Sequence, residues 1–492
     1  MKKSLFTLFG IFALFQAQSQ SEYSSFTSTG RGGATTFATD YQAVGINPAN
    51  LGWTWDFEEK KLAWGLSEFT FSLYSEALTK QELRTMIKET IRGNGDDFTQ
   101  EEKIQAARDF TESGFSFNGD LGSFGIAYTH EKLGGLAFRV NDRIQWNSTF
   151  GEQTSDILFL GYNATSYFDK LIVRDSLGNY DTIANVENYQ GLDTIVSGFA
   201  SAPQLISKVL AGTEMKMSWM REYNLSYGKK LFEVDSTFAL YAGVGVKFFQ
   251  GLGYLDIRSD GSTIDAFSSL SPVFGIDYGT AADLNPSTIT QTGNFPKPVG
   301  HGFGFDFGVN AVLLNKLKLG LAVTNIGSMT WDGNVYTVKD TILFDTENAG
   351  LENYNLFGQM NEFMGENGLF KYEGIASRTV KLPTTLRFGA SMKFGKIVEL
   401  GTDIIVPMNE TAANFNKAVI GFGGDIKPIK WMRIQAGFMT GGNYDFQIPI
   451  GITLIAKNGT YEAGIASRDA VTFFSQNGPT LSLAMGFIRW RI

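Results

Sequence analysis

Reactive side chains are scarce in this chain of 492 residues, and that scarcity is the first limit on its chemistry. There is no cysteine, and the two histidines, His130 and His301, lie far apart. Thiolate metal sites, disulfides and a lipidated N-terminal cysteine are therefore not expected. A Ser/His hydrolase needs a histidine beside a nucleophile with an orienting carboxylate, and no GxSxG segment, Walker loop or dinucleotide fingerprint occurs. The acidic run GDDFTQEE at 95–102 lacks EF-hand spacing and its turn glycine, and reads as a solvated helix start. A net charge of −9 argues against nucleic acid as a partner. No enzyme, cofactor or metal is expected.

What does recur is a cation between apolar neighbours. Arg139, Lys247, Lys318, Arg387, Lys393, Arg433, Arg489 and Arg491 each have apolar residues on both sides, and Asp306 is one of few acids in a similar setting. If the backbone alternates, all of these point to one face. An interior lined this way could hold an anionic headgroup or carboxylate, or repel cations in a pore. It could also pair with carboxylates such as Asp40 on a segment filling that interior, because buried unpaired cations are costly. The acidic excess of the chain is then expected mostly in loops and turns.

The elements that would position such residues are strands of period two. Phe303, Phe305, Phe307, Val309, Ala311 and Leu313 share one face, with Gly302, Gly304, Asp306, Gly308 and Asn310 on the other. The split recurs at Leu382, Leu386, Phe388, Ala390, Met392 and Phe394, and again at Phe446, Ile448, Ile450, Ile452 and Leu454. Strands regular over about ten residues, with 43% hydrophobic residues, 14% aromatics and a mean hydropathy of −0.07, point to a transmembrane β-barrel. About fourteen strands can be read between 62 and 492. Connections after even strands are short; four after odd strands are long, at 75–114, 149–214, 257–300 and 338–380. That asymmetry fits short periplasmic turns and long extracellular loops. Helices are expected in those loops: one capped by Thr79 and Glu82, one by Thr99 and Glu102, and one opened by Pro203 and closed by Gly212. Trp53, Trp55, Trp146, Trp331 and Trp431 fall near strand ends, where interfacial girdles sit.

The N-terminal region has a different character. Residues 1–19 read as a signal peptide: Lys2 and Lys3, an apolar run Leu5–Phe15, then Ala17 and Ser19 before the cleavage point. Residues 20–52 follow, including GRGGATTFATDYQAVGINPANL at 30–51. Gly30, Gly32 and Gly33 permit positive φ and close backbone packing, and Pro48 forces Asn47 out of the helical basin.

The glycine-rich start and the Asn47-Pro48-Ala49 triplet resemble the N-terminal hatch of the FadL-like outer-membrane transporters. The resemblance spans the processed chain: a hatch at 20–52 inside a barrel of residues 53–492 with long helical loops. It implies that Gly30 and Gly33 permit the hatch fold, and that Asn47, Pro48 and Ala49 govern a path sideways through the barrel wall. It implies a protein of the Gram-negative outer membrane, surrounded by lipid, that passes small hydrophobic or amphipathic molecules passively. The same superfamily includes PorV-like proteins of type 9 secretion. A non-transporting protein that docks a partner through its extracellular loops therefore stays open as the second reading.

Overall fold

A computed structural model of the chain describes residues 25–53, 60–75, 77–78, 84, 98–186, 191, 193–235, 237–293, 295–353, 359, 364–365, 368–414, 417–442, 444–470 and 480–492. The signal-peptide reading, Trp55 and the Thr79/Glu82 cap lie outside these residues.

Fourteen antiparallel strands close into one barrel, each bonded to its sequence neighbour and the last to the first. They are β1 (Leu62–Ser75), β2 (Gly114–His130), β3 (Gly134–Thr149), β4 (Glu214–Val234), β5 (Phe238–Ser259), β6 (Gly300–Leu313) and β7 (Leu317–Trp331). The second half holds β8 (Thr385–Phe394), β9 (Val398–Pro407), β10 (Val419–Ile429), β11 (Met432–Gly441), β12 (Ile450–Ala456), β13 (Tyr461–Ser467) and β14 (Thr480–Arg491). Closure leaves no unpaired ladder edge facing lipid, which is the condition for spanning a membrane with strands.

The alternation explains the wall. Along β6, Phe303, Phe305, Phe307 and Val309 face outward while Gly302, Gly304, Asp306, Gly308 and Asn310 are buried inside. The outward belt continues in Val244, Phe388, Phe422, Phe438 and Ile452, an apolar surface suited to acyl chains. Leu382 departs from the expected face: it precedes Pro383, lies outside β8 and is buried under the loops. At the short-turn end, Leu314-Asn315 and Lys457-Asn458 adopt φ near +50°, the conformation of type I′ hairpins.

At the other end the strands outrun the membrane. β5, with 22 residues, would extend roughly 70 Å, and its upper part is buried on both faces. There α1 (Gln100–Phe110) and α2 (Glu152–Leu160) join the strand ends in one apolar core that includes Phe110, Phe115, Trp146, Phe159, Leu255 and Phe370. The loop helices thus cover one another and the strand tops. The capping box forms as expected: Thr99 N–H and hydroxyl donate to Glu102, and Glu102 N–H donates back to Thr99.

Two expectations are corrected. Pro203 lies in a strand, Thr194–Leu205, and the helix that follows is one turn, Ile206–Val209. That strand belongs to a small separate sheet, ordered 342–346, 194–205, 170–174, 180–184, on the long-loop end. The tryptophans do not form one girdle: Trp53, Trp146 and Trp331 are buried, while Trp431 is exposed in a short turn.

Candidate functional site

Residues 25–53 run through the barrel interior, and almost every one of them is buried. A one-turn helix, Phe26–Thr29, is followed by 3₁₀ turns at Asp40–Ala43 and Pro48–Leu51. Asn47 is extended at φ −153°, as the residue before proline must be, and its side chain accepts from Ala49 N–H at 3.0 Å. Gly32 alone of the three early glycines takes positive φ (+64°). Gly30 is needed for space, since a Cβ there would lie 2.7 Å from Gly451 N.

The wall is cut to fit this segment. Where it passes, the inward positions of the strands are glycines, and a methyl group on them would collide with it. A Cβ at Gly65 would lie 2.0 Å from the Tyr41 hydroxyl, one at Gly308 2.0 Å from Asn47 Oδ1, and one at Gly421 1.7 Å from Gly32 O. Gly243 and Gly228 make the same room for Pro48. At these glycines the segment and the wall are in direct contact.

Charge fixes the segment's two ends differently. Asp40, at φ +49°, accepts from Arg489 Nη2 at 2.6 Å and Arg491 Nη2 at 3.1 Å. The same two arginines reach Glu462 at 2.8 and 3.1 Å. Arg31 and Arg433 share Asp425 Oδ2 at 2.7 and 2.9 Å. Asp403 accepts from the backbone N–H groups of Ala34 and Thr35 at 2.7 Å each. Tyr41 donates to Glu68 at 2.6 Å, and Arg139 approaches that carboxylate at 3.7 Å. Among the described residues the side chains of the Asn47–Leu51 turn are held by neutral groups: the amide of Asn310 lies 2.7 Å from the amides of both Asn47 and Asn50, and Asn50 donates to the carbonyls of Thr35 and Ala38 at 2.8 Å each.

The remaining expected lumen charges are inside the barrel. Lys247 is buried 3.0 Å from Asp306 and 3.3 Å from Glu222. Lys318 lies 3.1 Å from Glu399 and over the ring of Trp53 at 5.2 Å. Arg387 is fully buried, and Lys393 is partly exposed at the end of β8 next to a short turn. The expectation that the acids lie mostly in loops and turns is corrected, while the cations do pair with carboxylates, Asp40 among them. Glu68, Asp120, Glu222, Asp306, Asp403, Asp425 and Glu462 are all buried there with the cations. The same period-two rule that found the cations places Asp403, Asp425 and Glu462 inward; counting acids toward loops hid them. Above the segment the lumen is lined by buried polar side chains, among them Asn118, Asn141, Gln145, Asn147 and Ser218.

Opposite the Pro48 turn, on the outer face, the wall carries a concavity of about 540 Å³. Tyr227, Leu231, Val244, Phe307, Val309 and Leu321 line it, with Lys229 at its margin and the backbones of Gly243 and Gly308 at its floor. The β5–β6 ladder is unbroken there, from Gly300↔Gly251 to Leu313↔Phe238, while the β6–β7 ladder shifts register between Phe305 and Phe307. The backbones of Gly243 and Gly308 lie between the concavity and the turn.

A protein-family model described as "Family of unknown function (DUF5723)" matches residues 198–457. The chain belongs to that family. The part of this DUF5723 chain that matches contains Lys247, Asp306, Asn310, Asp403, Asp425 and Arg433, while residues 25–53, β1–β3, β13 and β14 lie outside it. No curated protein matches. Among solved structures, the chain is similar to the "TodX deltaS2S3 mutant monoaromatic hydrocarbon channel" at 9% identity and TM-score 0.44, covering 95% of this chain and 97% of that one. It is also similar to the Ralstonia pickettii toluene transporter TbuX at 10% identity and TM-score 0.42, over 96% and 99% of the two chains. A Pseudomonas aeruginosa FadL homologue matches at 11% and 0.39, over 96% and 98%. At such identities and scores the likeness assigns neither ligand nor direction of passage.

Proposed function

We propose that this outer-membrane barrel passes small hydrophobic or amphipathic molecules sideways, between its interior and the bilayer, beside the Asn47-Pro48-Ala49 turn. One observation carries the reading: an apolar concavity in the lipid-facing wall lies directly outside that turn, with Gly243 and Gly308 between them. Residues 25–53 act as a hatch. Its ion-paired part, Arg31 to Asp40, stays in place; its amide-held part, Asn47 to Leu51, is the part that shifts. Gly30 and Gly33 let the hatch pack against the wall, and a polar, filled lumen makes an axial route for an apolar molecule unfavourable.

The test uses the absence of native cysteine. Ala49→Cys paired with Ala239→Cys, two positions in one buried cluster, locks the turn to the wall under oxidation. Cells expressing the pair should take up the fluorescent hydrophobic probe N-phenylnaphthylamine at the background rate, and regain uptake on reduction. Pro48→Ala should slow uptake without a lock. Equal uptake in the oxidised and reduced states, with the disulfide verified by mass, would sink the proposal.

A second reading has its own observation. Among the described residues the small sheet on the long-loop end stops at the strand Tyr180–Ala184, which pairs there on one side and is largely exposed. Such an edge can accept a strand from a protein partner. Under this reading the barrel is a membrane base for a docking platform. Cross-linking from Thr182 in intact cells, with recovery of one stoichiometric protein, would support it over passage.

A further inference from the structure

We infer that the barrel holds a site for one small monovalent anion, at its short-turn end between the hatch and the wall. A cavity of about 20 Å³ lies there, lined by Thr27, Arg31, Phe37, Thr39, Lys318, Glu399, Arg433, Arg489 and Arg491. Five cations and one carboxylate face it. All four arginines are more than nine-tenths buried. Asp40, Asp425 and Glu462, which pair with those arginines, are not part of the lining. The four arginines therefore border the void while their paired carboxylates do not, and Lys318 borders it beside its partner Glu399. A low-dielectric wall strengthens this field relative to water.

Size limits the occupant. Roughly 10–15 Å³ of such space admits one water, so this cavity suits chloride, formate or the carboxylate end of a longer molecule, and is too small for a phosphodiester. Thr39, whose hydroxyl accepts from Arg491 Nη2 at 3.4 Å, keeps its own O–H to donate to the same charge, whereas Thr27 donates to Gln42. Arg31, Arg489 and Arg491 come from the two ends of the chain, so a bound anion touches hatch, β7, β11 and β14 at once. Lys318 and Glu399 keep 16% and 12% of their side-chain surface exposed, which gives the cavity its contact with solvent. The inference concerns a site within the resting hatch and holds whether or not the Pro48 turn moves.

Purified full-length protein in detergent tests it. The unfolding midpoint is followed against sodium formate or chloride at constant ionic strength, balanced with a bulky sulfonate. A saturable rise with formate and chloride is expected, with half-saturation about tenfold higher in Lys318→Gln and in Thr39→Val. Two variants guard against a misfolded one. Competition by decanoate would assign the site to the head of an amphipathic molecule; no competition would assign it to a free ion. Crystals grown in bromide should show one anomalous peak among Arg31, Arg433 and Arg491. A midpoint that depends on ionic strength alone, the same for every salt, or the absence of that peak, overturns the inference.

Discussion

Asp40 is held by two buried arginines of the last strand, and its geometry says why it must be an acid. Its backbone sits at positive φ, tolerated by Asp and Asn, and its Oδ2 takes donors from two buried arginines. Asp40→Asn keeps the conformation and removes the charge, leaving Arg489 and Arg491 with Glu462 alone. Breaking one side of a buried ion-pair group costs about 3–5 kcal/mol. The expected outcome is a lower urea midpoint for the folded barrel, read by heat-modifiability on a gel; an unchanged midpoint would mean that Asp40 is not the hatch's anchor. Arg31 and Asp425 make the reciprocal bond, the hatch supplying the cation and the wall the acid.

Among the elements, α1 offers a pH-sensitive joint outside the membrane. Hydrogen bonds from the Thr99 N–H and hydroxyl hold the Glu102 carboxyl below its ordinary range. A group with a depressed folded value adds stability above its unfolded value, and that stability is lost as the pH falls through the folded one. Amide exchange in 100–110 should therefore quicken below about pH 4, and Thr99→Ala should quicken it at neutral pH. Slow exchange in both conditions would show that packing against α2, not the cap, fixes the helix start.

The capping box was legible because its spacing is local. So was the barrel: fourteen strands, their order and both sets of connections follow from period two and turn residues. The small sheet was not legible, since Lys170–Arg174 and Tyr180–Ala184 are five-residue strands joined through Asp175 and Gly178, too short to display alternation. That Asp40 could meet inward cations was legible in the sequence, but which of them it meets was not. Asp40 meets Arg489 across nearly the whole chain, a pairing no window of sequence contains.

For the whole molecule, the wall and residues 25–53 form one interior. The glycines at 65, 243, 308 and 421 would each leave a void without the hatch, and Arg489 and Arg491 would face the lumen with a single acid. A chain lacking residues 25–53 is therefore expected to fail in assembly, running on gels as an unfolded, protease-sensitive species. A folded, ion-conducting pore from that truncation would contradict this account.

The bond between Asp40 and the final strand has a consequence for how the cell admits such a protein to its envelope. β14 is the last segment to be threaded, and it completes the seam with β1 while its two arginines take up a carboxylate from near the start of the chain. Closing the cylinder and stoppering it are then one event. On this arrangement a closed barrel with an empty lumen is not an expected stage of assembly.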